Sequence, residues 1–206
     1  MRFKKYRLQK IKDRLRGFNK KDAGTIFNPV LYVAILLLAA QLLLLFVEYR
    51  RVAWVSRYVT NAMTDALLGA CTLNEEELLN YGKTDDIEIR YPTEKYLVFK
   101  EILSEELGLT ADMQAGSDTI PLLRGEVMVS DFRIYSVWQE AVTVYDFDEK
   151  GGYTSYTMEQ AKGVLTIENG AVIADTAMVA EIAFTVNFLG FPMSVEKYHM
   201  VDVARN

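Results

Sequence analysis

The sequence predicts an α+β fold, in which a long N-terminal helix, transmembrane and then amphipathic, packs on a C-terminal antiparallel β-sheet. Three observations carry this. Pro29 to Val47 is a run of nineteen residues with only Gln41 polar inside it. Beyond it, Val52, Val55, Val59, Ala62 with Met63, Ala66 and Ala70 recur at spacings of three and four, the signature of one buried helix face. From about Leu122 the period of the apolar residues changes to two, the signature of strands.

The run justifies the membrane span. At ~1.5 Å per residue, nineteen helical residues reach about 29 Å, close to the ~30 Å hydrocarbon core of a bilayer. A secretory signal would have a shorter apolar core, roughly 7 to 15 residues, and small residues at its end. This run ends in Glu48-Tyr49-Arg50-Arg51. A buried helix of a globular domain would normally keep a polar stripe, and a single Gln does not make one.

Charge sets the expected orientation. The net charge is −5, yet residues 1–24 hold ten Lys/Arg against Asp13 and Asp22, leaving thirteen Lys/Arg and twenty-six Asp/Glu beyond Gly24. Basic residues are retained on the cytoplasmic side of a span, so the N-terminus is expected inside and the acidic domain outside, despite Arg50, Arg51 and Arg57. The predicted organisation is a basic cytoplasmic tail over 1–24, a transmembrane helix over 25–48, its amphipathic continuation over 49–71, and an extracytoplasmic α+β domain over 72–206. Within the tail, Leu8, Ile11, Leu15 and Phe18 recur at helical spacing, which suits either a helix lying on the inner leaflet or a tail whose charges only set topology.

The elements of the outer domain follow in order. Thr72 to Gly82 predicts a short helix with a Thr72/Glu75 capping box and a Gly stop. Pro92-Thr93 opens a helix from about Glu94 to Leu107, closed by Gly108, and Leu109 to Pro121 reads as loop. Val127 and Val129, Ile134 to Trp138, and Val142 and Val144 predict strands leading to a turn over Asp146 to Gly152. Val164–Glu168 and Ala171–Ala174 flank Asn169-Gly170, which predicts a hairpin with a type I′ turn. Ala180, Ile182, Phe184, Val186 and Phe188 predict one face of a strand, and after a turn at Gly190 to Pro192, Met193 to Val203 predicts the last. Short turns between consecutive strands predict an antiparallel meander, buried on one face by the amphipathic half of the long helix.

A basic leader, an apolar helix continuing into an amphipathic half, and a small C-terminal sheet domain resemble the layout of type IV pilin-like proteins. The segment YRRVAWVSRYVTNA, Tyr49 to Ala62, is similar to the TadE-like branch associated with tight-adherence pili. The resemblance implies a pilin-like fold in a bacterial cell membrane, with the apolar half-helix packing against its neighbours in a filament or at its base. The implied partners are the membrane, other single-span pilin-like subunits and assembly platform proteins, with a homo-oligomer among the forms open to it. In pilin-like precursors a peptidase cuts after a Gly that stands five residues before a Glu. Gly24 and Thr25 are the matching candidate processing site, but Pro29 stands where the Glu would be, which favours an uncleaved accessory component.

The candidate helix-packing interface is Ala39, Ala40 and Gln41 in the span, where small residues allow close approach and an amide finds a partner, with Val52, Val55, Val59 and Met63 beyond it. Cys71 is the only cysteine and His199 the only histidine, so no intramolecular disulfide or zinc cluster can form, and neither residue sits in a catalytic motif. Asp146-Phe147-Asp148-Glu149-Lys150-Gly151 echoes the opening of a calcium loop, but Lys150 and Thr157 replace ligands, so a hairpin turn is expected. With no phosphate-cradling glycine loop and no serine elbow, the chain is expected to be a structural protein, not an enzyme, without cofactor or nucleic-acid partner. A membrane-anchored extracytoplasmic binding or sensor module is the alternative.

Overall fold

The computed structural model describes the backbone of residues 3–84 and 86–203 and the side chains of residues 29–79 and 86–203. The chain forms two compact units, 1–49 and 50–206. Helix α1 is assigned from Phe3 to Ala70, running through Pro29 rather than beginning at it. A proline inside a helix removes one i→i−4 hydrogen bond, and α1 tolerates that loss. The amphipathic arrangement expected of Leu8, Ile11, Leu15 and Phe18, and the side chains around the Gly24/Thr25 junction, lie outside the described residues.

In the first unit, Pro29 begins the stretch that is long and apolar enough to cross a membrane, with a mean hydropathy of 2.8 in its most apolar window and none of that window buried. The core helix of a globular protein would be mostly covered, and this window is not.

In the second unit the architecture is α+β. Helices α2 (Glu75–Thr84) and α3 (Pro92–Leu107) are followed by strands β1 (Leu123–Trp138), β2 (Ala141–Phe147), β3 (Tyr153–Met158), β4 (Ala177–Phe188) and β5 (Phe191–Asp202). All pairings are antiparallel and the strand order is β3-β2-β1-β4-β5. The expected meander therefore holds within β1-β2-β3 and within β4-β5, but β3 does not pair with β4. Instead residues 159–176 cross from one side of the sheet to the other, and Ala161, Ile167 and Ile173 from that crossing bury against Tyr135, Val137, Val142, Val144, Ala177 and Val179. The crossing has a physical reason. Ile134 to Val137 are all buried, so β1 needs cover on both faces; α1 and α3 supply one and the crossing segment the other.

The opposite face of the sheet carries the main core. Val55, Val59, Ala62, Met63, Ala66, Leu67 and Ala70 of α1, with Tyr96, Phe99, Leu103 and Leu107 of α3, share one cluster with Phe132, Ile134, Phe147, Ala180, Ile182, Phe184 and Val186. Its centre is aromatic: Phe132 meets Phe99 at 4.9 Å and Tyr96 at 5.2 Å between ring centroids, tilted and edge-on arrangements that ring quadrupoles favour. Helix α3 begins with Pro92 in its first turn and ends at Gly108, whose φ of 65° is left-handed. A Cβ on Gly108 would stand 2.3 Å from the carbonyl oxygen of Asp118, so this stop accepts glycine alone.

Three local expectations are corrected. The capping box of α2 is Asn74/Glu77, not Thr72/Glu75: Glu77 N–H donates to Asn74 Oδ1 at 2.9 Å and Asn74 N–H donates to Glu77 Oε2 at 3.1 Å. Helix α2 also continues through Gly82 to Thr84. Asn169-Gly170 does turn the chain, but the flanking strands shrink to the single bridge Thr166↔Val172, and only Gly170 has positive φ. The turn with positive φ at both central residues is Leu189-Gly190, at 52° and 85°, between β4 and β5.

Candidate interaction surfaces

The apolar stripe of α1 beyond Arg50 and the apolar run before it have different fates. Val55, Val59 and Met63 are fully buried and Val52 is partly buried against the same core, so this part of the candidate packing interface is occupied within the chain itself. Ala39, Ala40 and Gln41 are exposed in the first unit, as are their neighbours Leu36 and Leu43, each 68% accessible. The two groups of residues singled out together by the sequence are thus one internal core and one open surface.

On the side of α1 away from the core, Arg50, Trp54, Arg57 and Asn61 are exposed, at spacings of four, three and four that place them on one stripe. Trp54 lies 5.6 Å from Tyr58 between ring centroids, and the Tyr58 hydroxyl donates to the Glu106 carbonyl of α3 at 3.1 Å. The aromatic pair is therefore tied to the end of α3. The sequence marks the stripe by its spacing but not this brace, because Glu106 is forty-eight residues away.

A buried ionic knot joins four segments. Glu77 is completely buried, and its Oε2 accepts from Lys95 Nζ at 2.9 Å, with side-chain exposures of 0% and 7%. Oε1 accepts from the Arg90 backbone N–H at 3.2 Å, and Lys95 Nζ also donates to the Thr72 carbonyl. The end of α1, the start of α2, the extended segment before Pro92 and α3 all meet here. Four satisfied polar contacts make the burial of two charges tolerable. The arrangement is a structural clasp that ties these segments together.

The far face of the sheet carries Arg133, with Asp131 at 3.2 Å, Glu168 at 3.6 Å and Asp146 at 3.7 Å. Its Nε is buried and lacks an aligned hydrogen-bond acceptor, so the Asp131 contact is an ion pair without hydrogen-bond geometry. Burial pushes the Asp131 carboxyl above its ordinary range, outweighing Arg133, and the carboxylates of Asp146, Glu168 and Glu181 add to the rise. Separately, Tyr96, Lys100, Asp112, Glu126, Glu149 and Lys150 border a half-open groove of about 350 Å³. Lys100 Nζ stands 5.7 Å above the Tyr96 ring.

The remaining candidate residues have plain roles. Cys71 is free and half-buried after the last turn of α1, and burial pushes its thiol up to about 12, so it is held protonated. His199 lies in β5 opposite Ala180, and among the described residues no hydrogen bond joins it to Cys71. In the Asp148 turn, Oδ1 accepts from the backbone N–H of Lys150 at 2.9 Å and of Gly152 at 2.8 Å, the hairpin expected there. No group of three or more His, Cys, Asp or Glu among the described residues could hold a metal ion. Comparison with protein-family models, curated proteins and solved structures finds no match to this chain.

Proposed function

We propose that the chain is a structural, non-enzymatic single-pass membrane component of a pilus or of a type IV filament-like or secretion-like assembly, in a pseudopilin or TadE-like role. Its basic N-terminus would lie in the cytoplasm of a bacterial cell and its acidic sheet domain outside. The observation that carries this reading is the division of α1. The stripe from Val55 to Ala70 is used up in the chain's own core, whereas the run around Ala39, Ala40 and Gln41 stays open. Without a hydrophobic driving force between helices in lipid, association there uses small residues and a polar side chain that finds its partner across the interface. Lateral contacts of the sheet domain with other subunits would complete the assembly.

The test is purification from native membranes in mild detergent, with partners identified by mass spectrometry and the N-terminus of the recovered chain read in the same sample. Co-purification with a secretion-type ATPase, a polytopic platform protein or other single-span subunits supports the reading. Gln41→Leu or Ala39→Leu should reduce that recovery while the sheet domain stays folded. A chain recovered alone, with both substitutions silent, would refute it. The groove at Tyr96 and Lys100 favours the second reading, a membrane-anchored extracytoplasmic binding module, because it offers both charge signs around one aromatic ring.

A further inference from the structure

The exposed stripe of α1 in the second unit differs in charge from everything that follows it. From Thr72 onward the sequence has ten Lys/Arg against twenty-four Asp/Glu, while Arg50, Arg51 and Arg57 fall within eight residues at the start of the unit. We infer that Arg50, Trp54 and Arg57 form a docking surface for phospholipid headgroups, the guanidiniums meeting phosphate and the indole lying at the level of the glycerol backbone. This rests on the membrane reading above and adds to it a lipid-binding surface at the base of the domain.

Position along the helix is the first argument. Arg50, Trp54 and Arg57 follow Val47, the last residue of the apolar run, by three, seven and ten positions. At ~1.5 Å per residue this is about 5, 10 and 15 Å, against a headgroup layer of about 5–8 Å on each side of the hydrocarbon. Side chains on a helix tilt toward its N-terminus, here toward the apolar run, which brings Trp54 back into that layer and the long arm of Arg57 to its outer edge, within reach of phosphate.

Chemistry is the second argument. Trp is enriched at membrane interfaces because its ring is apolar and its N–H polar, and Arg binds phosphate through a planar fork. Trp54 is 53% accessible although it is among the largest apolar side chains of the unit. It also packs against Tyr58 in a tilted arrangement with ring centroids 5.6 Å apart, and Tyr58 is in turn hydrogen-bonded to Glu106. An exposed indole between two exposed arginines is poorly suited to open water and well suited to headgroups. The acidic remainder of the domain would be repelled by anionic lipid, so the stripe gives the domain one preferred face toward the bilayer.

The test uses the full chain in vesicles of phosphatidylcholine with or without phosphatidylglycerol. Resistance to alkaline extraction reports insertion of the run. Tryptophan fluorescence, quenched by either lipid brominated near the glycerol end of its acyl chains, reports Trp54. Trp138 is the other tryptophan. Trp138→Phe isolates Trp54, and Trp54→Phe provides the converse should the first variant fold poorly. Strong quenching of Trp54 with little quenching of Trp138 is expected. Brominated phosphatidylglycerol should quench more than brominated phosphatidylcholine, and Arg50→Gln and Arg57→Gln should each cut that preference about fivefold, the equivalent of ~1 kcal/mol per basic side chain near an anionic surface. An inserted chain whose Trp54 is unquenched and indifferent to lipid charge overturns the inference and leaves the span intact. An unquenched Trp54 that becomes shielded as protein concentration rises assigns the stripe to a second copy and equally overturns it. Failure to insert overturns the membrane reading together with this inference.

Discussion

Replacing Lys95 by Met tests the buried clasp most directly, since it removes the ammonium while nearly preserving volume. Glu77 would then remain completely buried, keeping its two backbone donors, Asn74 at 3.1 Å and Arg90 at 3.2 Å, and losing the cationic partner it has among the described residues. The Thr72 carbonyl would lose its Lys95 donor in the same step. Breaking a buried pair from one side costs about 3–5 kcal/mol, and the two surviving N–H bonds hold this case near the lower figure, ~3 kcal/mol. For a domain of this size that corresponds to a fall of about 6–12 °C in Tm. The assay is urea and thermal unfolding of the full chain in mild detergent, followed by near-ultraviolet circular dichroism of the sheet domain. Adding Glu77→Gln to Lys95→Met removes the stranded charge and should recover about half of the loss; because Glu77→Gln alone strands the Lys95 ammonium at a cost of its own, the coupling in the double-mutant cycle should exceed ~1.5 kcal/mol. A loss below ~1 kcal/mol for Lys95→Met, or strict additivity in the cycle, would refute the clasp.

Other expectations follow from single residues. Leu189 is held at a φ of 52°, which costs an L-residue ~1 kcal/mol, and it is 38% exposed, so Leu189→Asn should raise stability by about 0.5–1 kcal/mol in the same unfolding assay; a loss of stability would count against the turn assignment. Asp131 has a carboxyl raised above its unfolded value of ~3.9, so the folded state holds its proton more tightly, and the residue's contribution to stability falls as pH rises through the raised value. Asp131→Asn should therefore stabilise the domain at neutral pH, with the advantage vanishing as pH drops below the ordinary carboxylate range; a variant less stable than the parent at neutral pH would contradict this. With its thiol near 12, Cys71 should react with iodoacetamide about a thousandfold more slowly at pH 8 than a free cysteine and at a normal rate in urea, as read by mass spectrometry of the alkylated peptide.

The parts of the fold legible in the sequence are those where one residue's environment repeats at a fixed period. Strand β4 reads cleanly because Ala180, Ile182, Phe184 and Val186 alternate with Glu181, Thr185 and Asn187, and its inner face is buried throughout. The Gly108 stop reads as cleanly because a left-handed residue is a local requirement. Strand β3, by contrast, has five of its six residues exposed at the sheet edge, so Tyr153 to Met158 carries no apolar alternation to find. The capping box of α2 lies two residues beyond the Thr72/Glu75 pair that the spacing predicts, and the contact that favours Glu77 comes from Lys95, eighteen residues on. The same limit hides most of the candidate surfaces. Arg50, Trp54 and Arg57 announce themselves by helical spacing, but the Tyr58–Glu106 brace, the groove at Tyr96 and the acids around Arg133 exist only once β1, β2 and α3 are side by side.

The central place of β1 has a consequence for how the domain is made. Its first partner, β2, follows after a two-residue turn, but its other partner, β4, ends at Phe188, near the close of the chain. The helical stripe from Val55 to Ala70 is synthesised more than a hundred residues before the strand that completes its cover. During that interval the growing chain carries an apolar face that α3 covers only in part. The sheet closes over it only when Ala180 to Val186 arrive. A stop codon anywhere before β4 leaves that face with the cover of α3 but without the strand that completes it.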